Sequence, residues 1–176
     1  MLATTTSNNQ LCGFGSTSSS INFYIANRPP IDEYPQMTEL RGLALGELAY
    51  IVEHTSNHWR KVFNVYAKLL FDWHTRHQRK NLPDTWQSYR DWELFQPDSQ
   101  EALLFSPPQF GSNQLAIHII AGKTYAATLN LPPLVWFDAY FALNKEYRII
   151  VAPYPDYRQL SNERIARLIE LMNTVL

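Results

Sequence analysis

Two short apolar runs, Leu115–Ala121 and Arg148–Ala152, constrain the fold of this chain more than any other feature. Their length and β-branched content are typical of strands buried on both faces of a parallel sheet. The stretch Lys123–Leu131 between them fits a short helix that opens after Gly122. The second run ends at Pro153-Tyr154-Pro155, because proline cannot donate to a strand ladder. The sequence therefore predicts a strand–helix–strand unit of the α/β class.

Two further segments have strand character. Ile21–Ala26 alternates and is rich in aromatic residues, and Glu101–Phe105 is a second apolar run. Only nine residues, Ser106–Gln114, separate the latter from the next strand, whereas a helical parallel crossover needs about a dozen or more. We therefore expect either that Glu101–Phe105 forms an antiparallel hairpin or that it lies outside the sheet.

Helical spacing of apolar residues predicts four further helices, of which the third is short. The first is expected to run from Thr38 to about Glu53, and the second to begin at Asn57 and end in the basic segment Thr75–Lys80. The third is expected to span Thr85–Phe95, and the last to begin at the cap Ser161. The basic segment has two interpretations, a solvated helix end or a phosphate-binding cluster. The complete pattern predicts a three-layer α/β/α fold with a small, largely parallel sheet.

Composition bounds the organisation of the chain. Its 176 residues fit one domain, which we place at 21–176, and the Ser/Thr/Asn-rich residues 1–20 are expected to form a flexible leader. The net charge of −1 argues against a globally basic nucleic-acid binder, although it allows a local basic patch. No apolar stretch approaches the ~20 residues of a membrane span, and no signal-peptide pattern is present. A cytoplasmic protein without membrane association is expected, and no oligomeric state is predicted.

Metal-binding motifs are not evident. The single cysteine, Cys12, excludes a disulfide framework and a cysteine-based zinc site. His54 and His58 have metal-ligand separation, but the residues between them read as a helix break. His74 and His77 lack a third ligand on the same helical face. We therefore expect neither a metal nor a cofactor, and surface positions for these histidines.

The usual catalytic motifs are also absent. Gly122-Lys123-Thr124 matches only the tail of a phosphate-binding loop and lacks its upstream glycines, so a nucleotide triphosphatase is not expected. No Gly-x-Ser-x-Gly elbow and no nucleophilic cysteine–histidine pair is evident. His118 lies inside an apolar strand, and we interpret it as a core histidine with a hydrogen-bond partner.

Three strand ends nevertheless form a recognisable series. The first strand ends in Asn27-Arg28-Pro29-Pro30, a later one in Ala121–Ala126 (Ala-Gly-Lys-Thr-Tyr-Ala), and the last in Ala152-Pro153-Tyr154-Pro155. In element order, over about residues 21–176, this resembles the uracil-DNA glycosylase superfamily. In that family a first strand ends in a Gly-x-Asp/Asn-Pro motif that positions or activates water. A later strand ends in Leu-Gly-Lys-x-Ala, and the final strand in His-Pro-Ser-Pro/Gly.

The resemblance implies specific positions in this chain. The water-positioning residue falls near Asn27 or Arg28, according to register, and the base-reading asparagine near Ser106. The catalytic histidine falls at Ala152, which cannot hydrogen-bond a base oxygen. Loss of one such donor costs about 10²- to 10³-fold in rate in other enzymes. The resemblance therefore implies a glycosylase-like domain without robust uracil excision.

We accordingly expect the chain to bind a nucleotide, a base or single-stranded nucleic acid at the carboxyl ends of its strands. Three cations are expected to meet phosphate and one tyrosine to stack on a base. The candidate residues are Asn27, Arg28, Ser106, Lys123, Tyr154, Asp156 and Arg158.

Two alternatives remain open at this point. One is an active DNA glycosylase or related hydrolase with a relocated catalytic group, Asp32 or Asp156. The other is a protein-interaction module that uses the aromatic residues of Trp86–Phe95 and the leader.

Overall fold

The computed structural model describes residues 10–111 and 115–176. The described strands are β1 (Gly13–Gly15), β2 (Ile21–Tyr24), β3 (Leu40–Arg41), β4 (Glu101–Leu104), β5 (Ile117–Ala121), β6 (Val135–Trp136), β7 (Ala142–Asn144) and β8 (Ile149–Ala152). The helices are α1 (Glu47–His54), α2 (Asn57–Arg76), α3 (Trp86–Trp92), α4 (Lys123–Thr128) and α5 (Asn162–Thr174), with a 3-10 turn at Tyr34–Gln36. None of these helices is long and apolar enough to cross a membrane.

The strands form one mixed sheet in the order β3-β1-β4-β2-β5-β8-β7-β6. Its four central strands, β4, β2, β5 and β8, are parallel to one another. The outer pairings β1–β4, β7–β8 and β6–β7 are antiparallel, and β3 pairs with β1 in parallel. All four apolar runs of the sequence are central strands, because only a strand covered on both faces needs an uninterrupted apolar run.

The connection between β4 and β5 differs from both alternatives considered above. Glu101–Leu104 is in the sheet and runs parallel to β2, and β5 runs parallel on the other side of β2. The connecting chain must move sideways by two strand spacings and return along the strand, a path on the order of 20 Å. About a dozen extended residues can reach roughly 40 Å, so this crossover needs no helix.

The two faces of the sheet carry unequal layers. The larger core lies between one face and α1, α2, α3 and α5, represented by Ile51, Phe63, Tyr89 and Ile169. The opposite face is covered by α4 and by loop side chains, among them Phe110, Leu131 and Leu134. The predicted three-layer α/β/α arrangement fits this distribution.

Part of the predicted leader belongs to the sheet. Gly13–Gly15 form β1, Cys12 and Phe14 are buried, and Phe14 packs edge-on against Tyr34 and Phe105. The predicted boundary at residue 20 therefore does not hold for residues 12–20. The composition of the segment did not indicate this strand, because two of its three residues are glycines. At both glycines a neighbouring backbone leaves no room for a Cβ. Residues 1–9 lie outside the described part of the chain.

The helix predicted from Thr38 to Glu53 is wrong in its first half. Leu40–Arg41 pair with β1, and α1 begins only at Glu47. Gly42 lies directly against Pro97, and Gly46 adopts a left-handed conformation that starts the helix. Glycine is a poor helix former, so strand pairing overrides the apolar periodicity here. The helices α2 and α5 lie where the sequence predicts them, α5 with Ser161 as its N-cap. The helix α3 begins as predicted but ends at Trp92, three residues before the predicted end at Phe95, which has a positive φ of 55°.

Candidate functional site

The strand order creates a crevice at the carboxyl edge of the central sheet. After β2 the chain continues to β3 and β4, which lie on one side of β2, whereas after β5 it continues to β6, β7 and β8, which lie on the other side of β5. The connections that leave β2 and β5 therefore turn in opposite directions. In open α/β sheets such a topological switch point is where ligands bind.

A cleft of about 790 Å³ opens at this point. The segments that follow β2, β5 and β8 form its floor, and the turn before β7 and the start of α5 form its rim. Its lining residues are Ala26, Asn27, Ala121–Tyr125, Thr128, Ala139, Tyr140, Pro153, Tyr154, Arg158, Gln159 and Arg164. Four of the seven predicted site residues, Asn27, Lys123, Tyr154 and Arg158, thus share one cleft.

The charge of the cleft is entirely positive. Lys123, Arg158 and Arg164 line it, and none of its lining residues is an aspartate or glutamate. Lys123 is exposed and has no hydrogen-bond or ion-pair partner within residues 10–111 and 115–176. Arg158 is also exposed, and its Nε donates to the Tyr157 hydroxyl at 3.3 Å. Lys123 therefore has no compensating carboxylate in the described ranges, and cations in a concave surface attract anionic ligands.

Aromatic rings stand beside these cations. The Arg164 guanidinium lies 3.7 Å from the centroid of the Tyr140 ring and donates to the carbonyl oxygen of Gln159 at 2.7 Å. Next to Tyr140, Trp136 and Phe137 are about half exposed. A second arginine, Arg167, lies over Phe137 at 5.9 Å. The rim therefore carries aromatic faces and guanidinium groups side by side.

Tyr154 is held from behind by α2. Its hydroxyl and His58 Nε2 are 2.6 Å apart, and the two rings stack with centroids 5.5 Å apart at 13°. Burial raises the pKa of Tyr154 above its usual value, and burial lowers the pKa of His58 despite the nearby Asp156. At neutral pH the tyrosine hydroxyl therefore donates to a neutral imidazole, which fixes the ring at the cleft wall. His58 was expected at the surface, because nothing in its local sequence indicates a partner 96 residues away.

Arg28 does not line the cleft. Its guanidinium Nη1 donates to the carbonyl oxygens of Tyr34, Pro35 and Met37, at 3.3, 3.3 and 2.8 Å. It also lies 5.6 Å from the Phe105 ring centroid. This side chain fixes the loop after β2 and is not directed at a phosphate.

Ser106 and Asp156 also have structural partners. Ser106 Oγ accepts the backbone N–H of Cys12 at 3.0 Å, which ties β1 to the end of β4. Asp156 pairs with Lys61 at 3.3 Å and accepts the N–H of Arg158 at 2.9 Å. The Arg158 N–H, together with Lys61, holds the pKa of this carboxyl below its usual value. Neither residue is among the lining residues of the cleft.

Two cleft residues were missed by the sequence analysis. Arg164 lies in the first turn of the last helix among polar residues, which is typical of a solvent-exposed position, and Tyr140 lies in a segment without a clear period. No local signal could have found them, because their importance depends on how α5 and the β6–β7 hairpin pack beside the sheet. No group of three or more metal-ligating side chains occurs in the described part of the chain.

Taken together, the fold and the cleft define a mixed α/β protein with a basic, aromatic-rimmed crevice at the switch point of its parallel strands. Residues 12–173 match the family of unknown function DUF6942, and the chain belongs to that family. No curated protein and no solved structure matches it.

Proposed function

We propose that the cleft binds a nucleotide or a short stretch of single-stranded nucleic acid, without robust uracil excision. The observation that carries this proposal is the charge of the lining, three cationic side chains with no carboxylate among them. A phosphate in the cleft would meet Lys123 directly, because this ammonium group has no partner among the described residues. Arg158 and Arg164, which also line the cleft, would each contact a further phosphate of the same strand.

The aromatic rim supports a nucleic-acid ligand over a simple inorganic anion. A base leaving the cleft would reach Tyr140, whose ring already stacks on Arg164, and then Trp136 and Phe137. Stacking of bases on such side chains is worth about 1–3 kcal/mol per base and does not depend on sequence. A volume of about 790 Å³ is sufficient for one nucleotide.

We further propose kinship with the uracil-DNA glycosylase superfamily within this α/β fold. Its support is geometric: Asn27, Gly122-Lys123 and Pro153-Tyr154, the three strand ends that carry the resemblance, lie in one cleft. The family's histidine position is Ala152, which is buried and has no hydrogen-bonding side chain. This absence of a donor supports binding without excision.

The alternatives find less support. Asp32 accepts the hydroxyl of Tyr50 at 2.7 Å and Asp156 pairs with Lys61, and neither lines the cleft, so no observation favours a relocated catalytic carboxylate. In the segment Trp86–Phe95, Tyr89, Leu94 and Phe95 are buried. Trp92 is 61% exposed, whereas the other aromatic side chains of the segment are buried or partly buried, so a single exposed ring supports an interaction module there.

Binding of a fluorescein-labelled ten-residue oligothymidine, measured by anisotropy, tests the proposal. We expect saturable binding by the wild type and about tenfold or greater weakening in the Lys123→Ala, Arg158→Ala double variant, because each lost phosphate contact removes favourable charge. Oligonucleotides that contain uracil or hypoxanthine should be bound without formation of abasic product.

Lys80→Ala is the matched control, since this exposed cation lies in the basic segment after α2 and outside the cleft. It should bind like the wild type. Equal affinity of the double variant and the wild type would refute the proposed site. Weakening by Lys80→Ala alone would instead assign binding to the basic segment.

A further inference from the structure

A second cavity, of about 530 Å³, lies at the opposite edge of the sheet, where β2 and β4 begin. Residues 20–21 and 96–101 form one side, and the end of α2 forms the other. The charged and aromatic lining residues are Trp73, His74, His77, Arg79, Trp92, Glu93, Asp98 and Glu101. The basic cleft uses none of them.

A buried histidine–glutamate pair forms the floor of this cavity. Glu101 is 2% exposed, and its carboxylate lies 2.5 Å from His74 Nε2, 2.7 Å from Ser99 Oγ and 3.3 Å from the Tyr89 hydroxyl. Burial alone would raise the pKa of Glu101, but the hydrogen bonds of His74, Ser99 and Tyr89 outweigh it and lower the pKa. The carboxylate is therefore ionised, and His74 Nε2 must carry the hydrogen that joins them.

This arrangement leaves the other ring nitrogen of His74, Nδ1, available to a ligand. His74 is 8% exposed, and its Nδ1 has no hydrogen-bond partner among the described residues. No fully buried side-chain nitrogen or oxygen in the described part of the chain lacks a partner, so Nδ1 is not fully enclosed, and His74 lines the cavity. With the shared hydrogen on Nε2, the ring can accept a hydrogen bond at Nδ1.

The cavity walls favour a cation. Three carboxylates, Glu93, Asp98 and Glu101, line it against one guanidinium, Arg79, which already pairs with Glu93. Asp98 is exposed and has no ion-pair partner within the described ranges. Trp92 is 61% exposed and offers an indole face, to which cations are attracted.

We propose that this cavity is a binding site for a small organic ammonium ion. Its N–H groups donate to His74 Nδ1 and to the Asp98 carboxylate, and its carbon skeleton packs on Trp92. An anion would be repelled by Asp98, because Glu93 and Glu101 already pair with Arg79 and His74 whereas Asp98 has no ion-pair partner in the described ranges. The described residues also offer no set of three ligands for a metal ion. The proposal is independent of the function assigned to the basic cleft.

Titration with butylammonium chloride, followed by ¹⁵N NMR of the histidine side chains, tests this site. We expect a saturable shift of His74 Nδ1, because this nitrogen gains a donor, and no such shift with sodium butyrate, which has the same length and the opposite charge. Asp98→Asn and Trp92→Ala should each weaken binding by roughly three- to tenfold, and His74→Gln should abolish it.

Asp84→Asn is the control, since Asp84 is exposed and lies outside the cavity. It should bind butylammonium like the wild type. Asp98 and Trp92 are surface residues, so their variants remain informative even where His74→Gln fails to fold. The site is refuted by an unmoved His74 Nδ1 signal, by butyrate binding as well as butylammonium, or by unchanged affinity in Asp98→Asn.

Discussion

Glu47, the first residue of α1, collects four hydrogen bonds in a small volume. Its carboxylate accepts from both Arg41 terminal nitrogens at 2.8 Å, from the Tyr34 hydroxyl at 2.6 Å and from the Ala44 N–H at 2.9 Å. Burial raises the pKa of this carboxyl, but these donors more than offset it and lower the pKa to about 2. The residue thereby joins β3, the 3-10 turn and α1.

Replacement of Glu47 by glutamine should lower the free energy of unfolding by about 2 kcal/mol at pH 7, since it removes charged hydrogen bonds. The folded pKa of about 2 lies below the ordinary value of 4.5, so the contribution is complete above pH 4.5 and is lost as the pH falls toward 2. The difference between variant and wild type should therefore shrink between pH 5 and pH 3 in urea unfolding followed by tryptophan fluorescence.

The control is Glu170→Gln. Glu170 forms a surface pair with Arg167 in which its side chain is 62% exposed, and such pairs contribute about 0–1 kcal/mol. Its effect should be small at every pH. If Glu47→Gln cost the same at pH 3 as at pH 7, the carboxylate network would not be the source of the stabilisation.

Single residues also show what local sequence can and cannot predict. His118 was expected to be a core histidine with a partner, which is confirmed: it is 4% exposed, its Nδ1 lies 2.7 Å from the Tyr24 hydroxyl, and burial lowers its pKa to about 4. The apolar residues around it were sufficient evidence. Arg28 was expected to contact a ligand. Its long side chain can point toward the cleft or away from it, and only the fold shows that its guanidinium donates to backbone carbonyl oxygens instead.

At the scale of elements, an apolar run in the sequence indicates only those strands that are covered on both faces of the sheet. The runs at β2, β4, β5 and β8 were therefore visible in the sequence. The two-residue strands β3 and β6 have no pattern of their own, and they exist because a neighbour pairs with them. The residues of the cleft follow the same division: Asn27, Lys123 and Tyr154 come directly after visible strands, and Tyr140 comes from the hairpin that was not predicted.

The edge strand β1 depends on close backbone approach at Gly13. A Cβ at this position would lie 2.1 Å from the Leu103 carbonyl oxygen and 2.9 Å from Leu104 Cα, and Gly13 has a φ of +149°. Gly13→Ala should therefore cost about 2 to 3 kcal/mol and separate β1 from β4. Urea unfolding would measure the loss of stability, and amide hydrogen exchange should show faster exchange from Cys12 to Gly15 and in β3.

Gly46→Ala serves as the comparison for Gly13→Ala. Gly46 also has a positive φ, +84°, but nothing lies within 4 Å of its added Cβ. This variant should cost only the backbone strain, about 1 kcal/mol, and leave exchange in β1 unchanged. Equal costs for the two variants would show that conformation at Gly13, and not contact with β4, limits substitution there.

At the scale of the molecule, the net charge of −1 conceals two regions of opposite charge at opposite edges of the sheet. The cleft at the carboxyl edge of the sheet is lined by three cations without a carboxylate, and the cavity at the amino edge by three carboxylates and one arginine. The overall charge argued only against a globally basic protein. A folded chain can still place its cations on one side, and a screening length of about 10 Å at 0.1 M salt keeps such regions electrically distinct.

This polarity predicts a definite salt dependence for the proposed binding of oligothymidine. Three phosphate contacts, at about 0.7 counterions each for a single strand, give a slope of about −2 for log K against log salt concentration. The Lys123→Ala, Arg158→Ala variant retains Arg164 alone, so its slope should fall to about −0.7. Anisotropy titrations between 50 and 300 mM KCl, as a rough working range, measure both slopes. A wild-type slope near zero would mean that the three cations do not meet phosphate. An unchanged slope in the variant would place the nucleic acid elsewhere on the molecule, whatever its affinity.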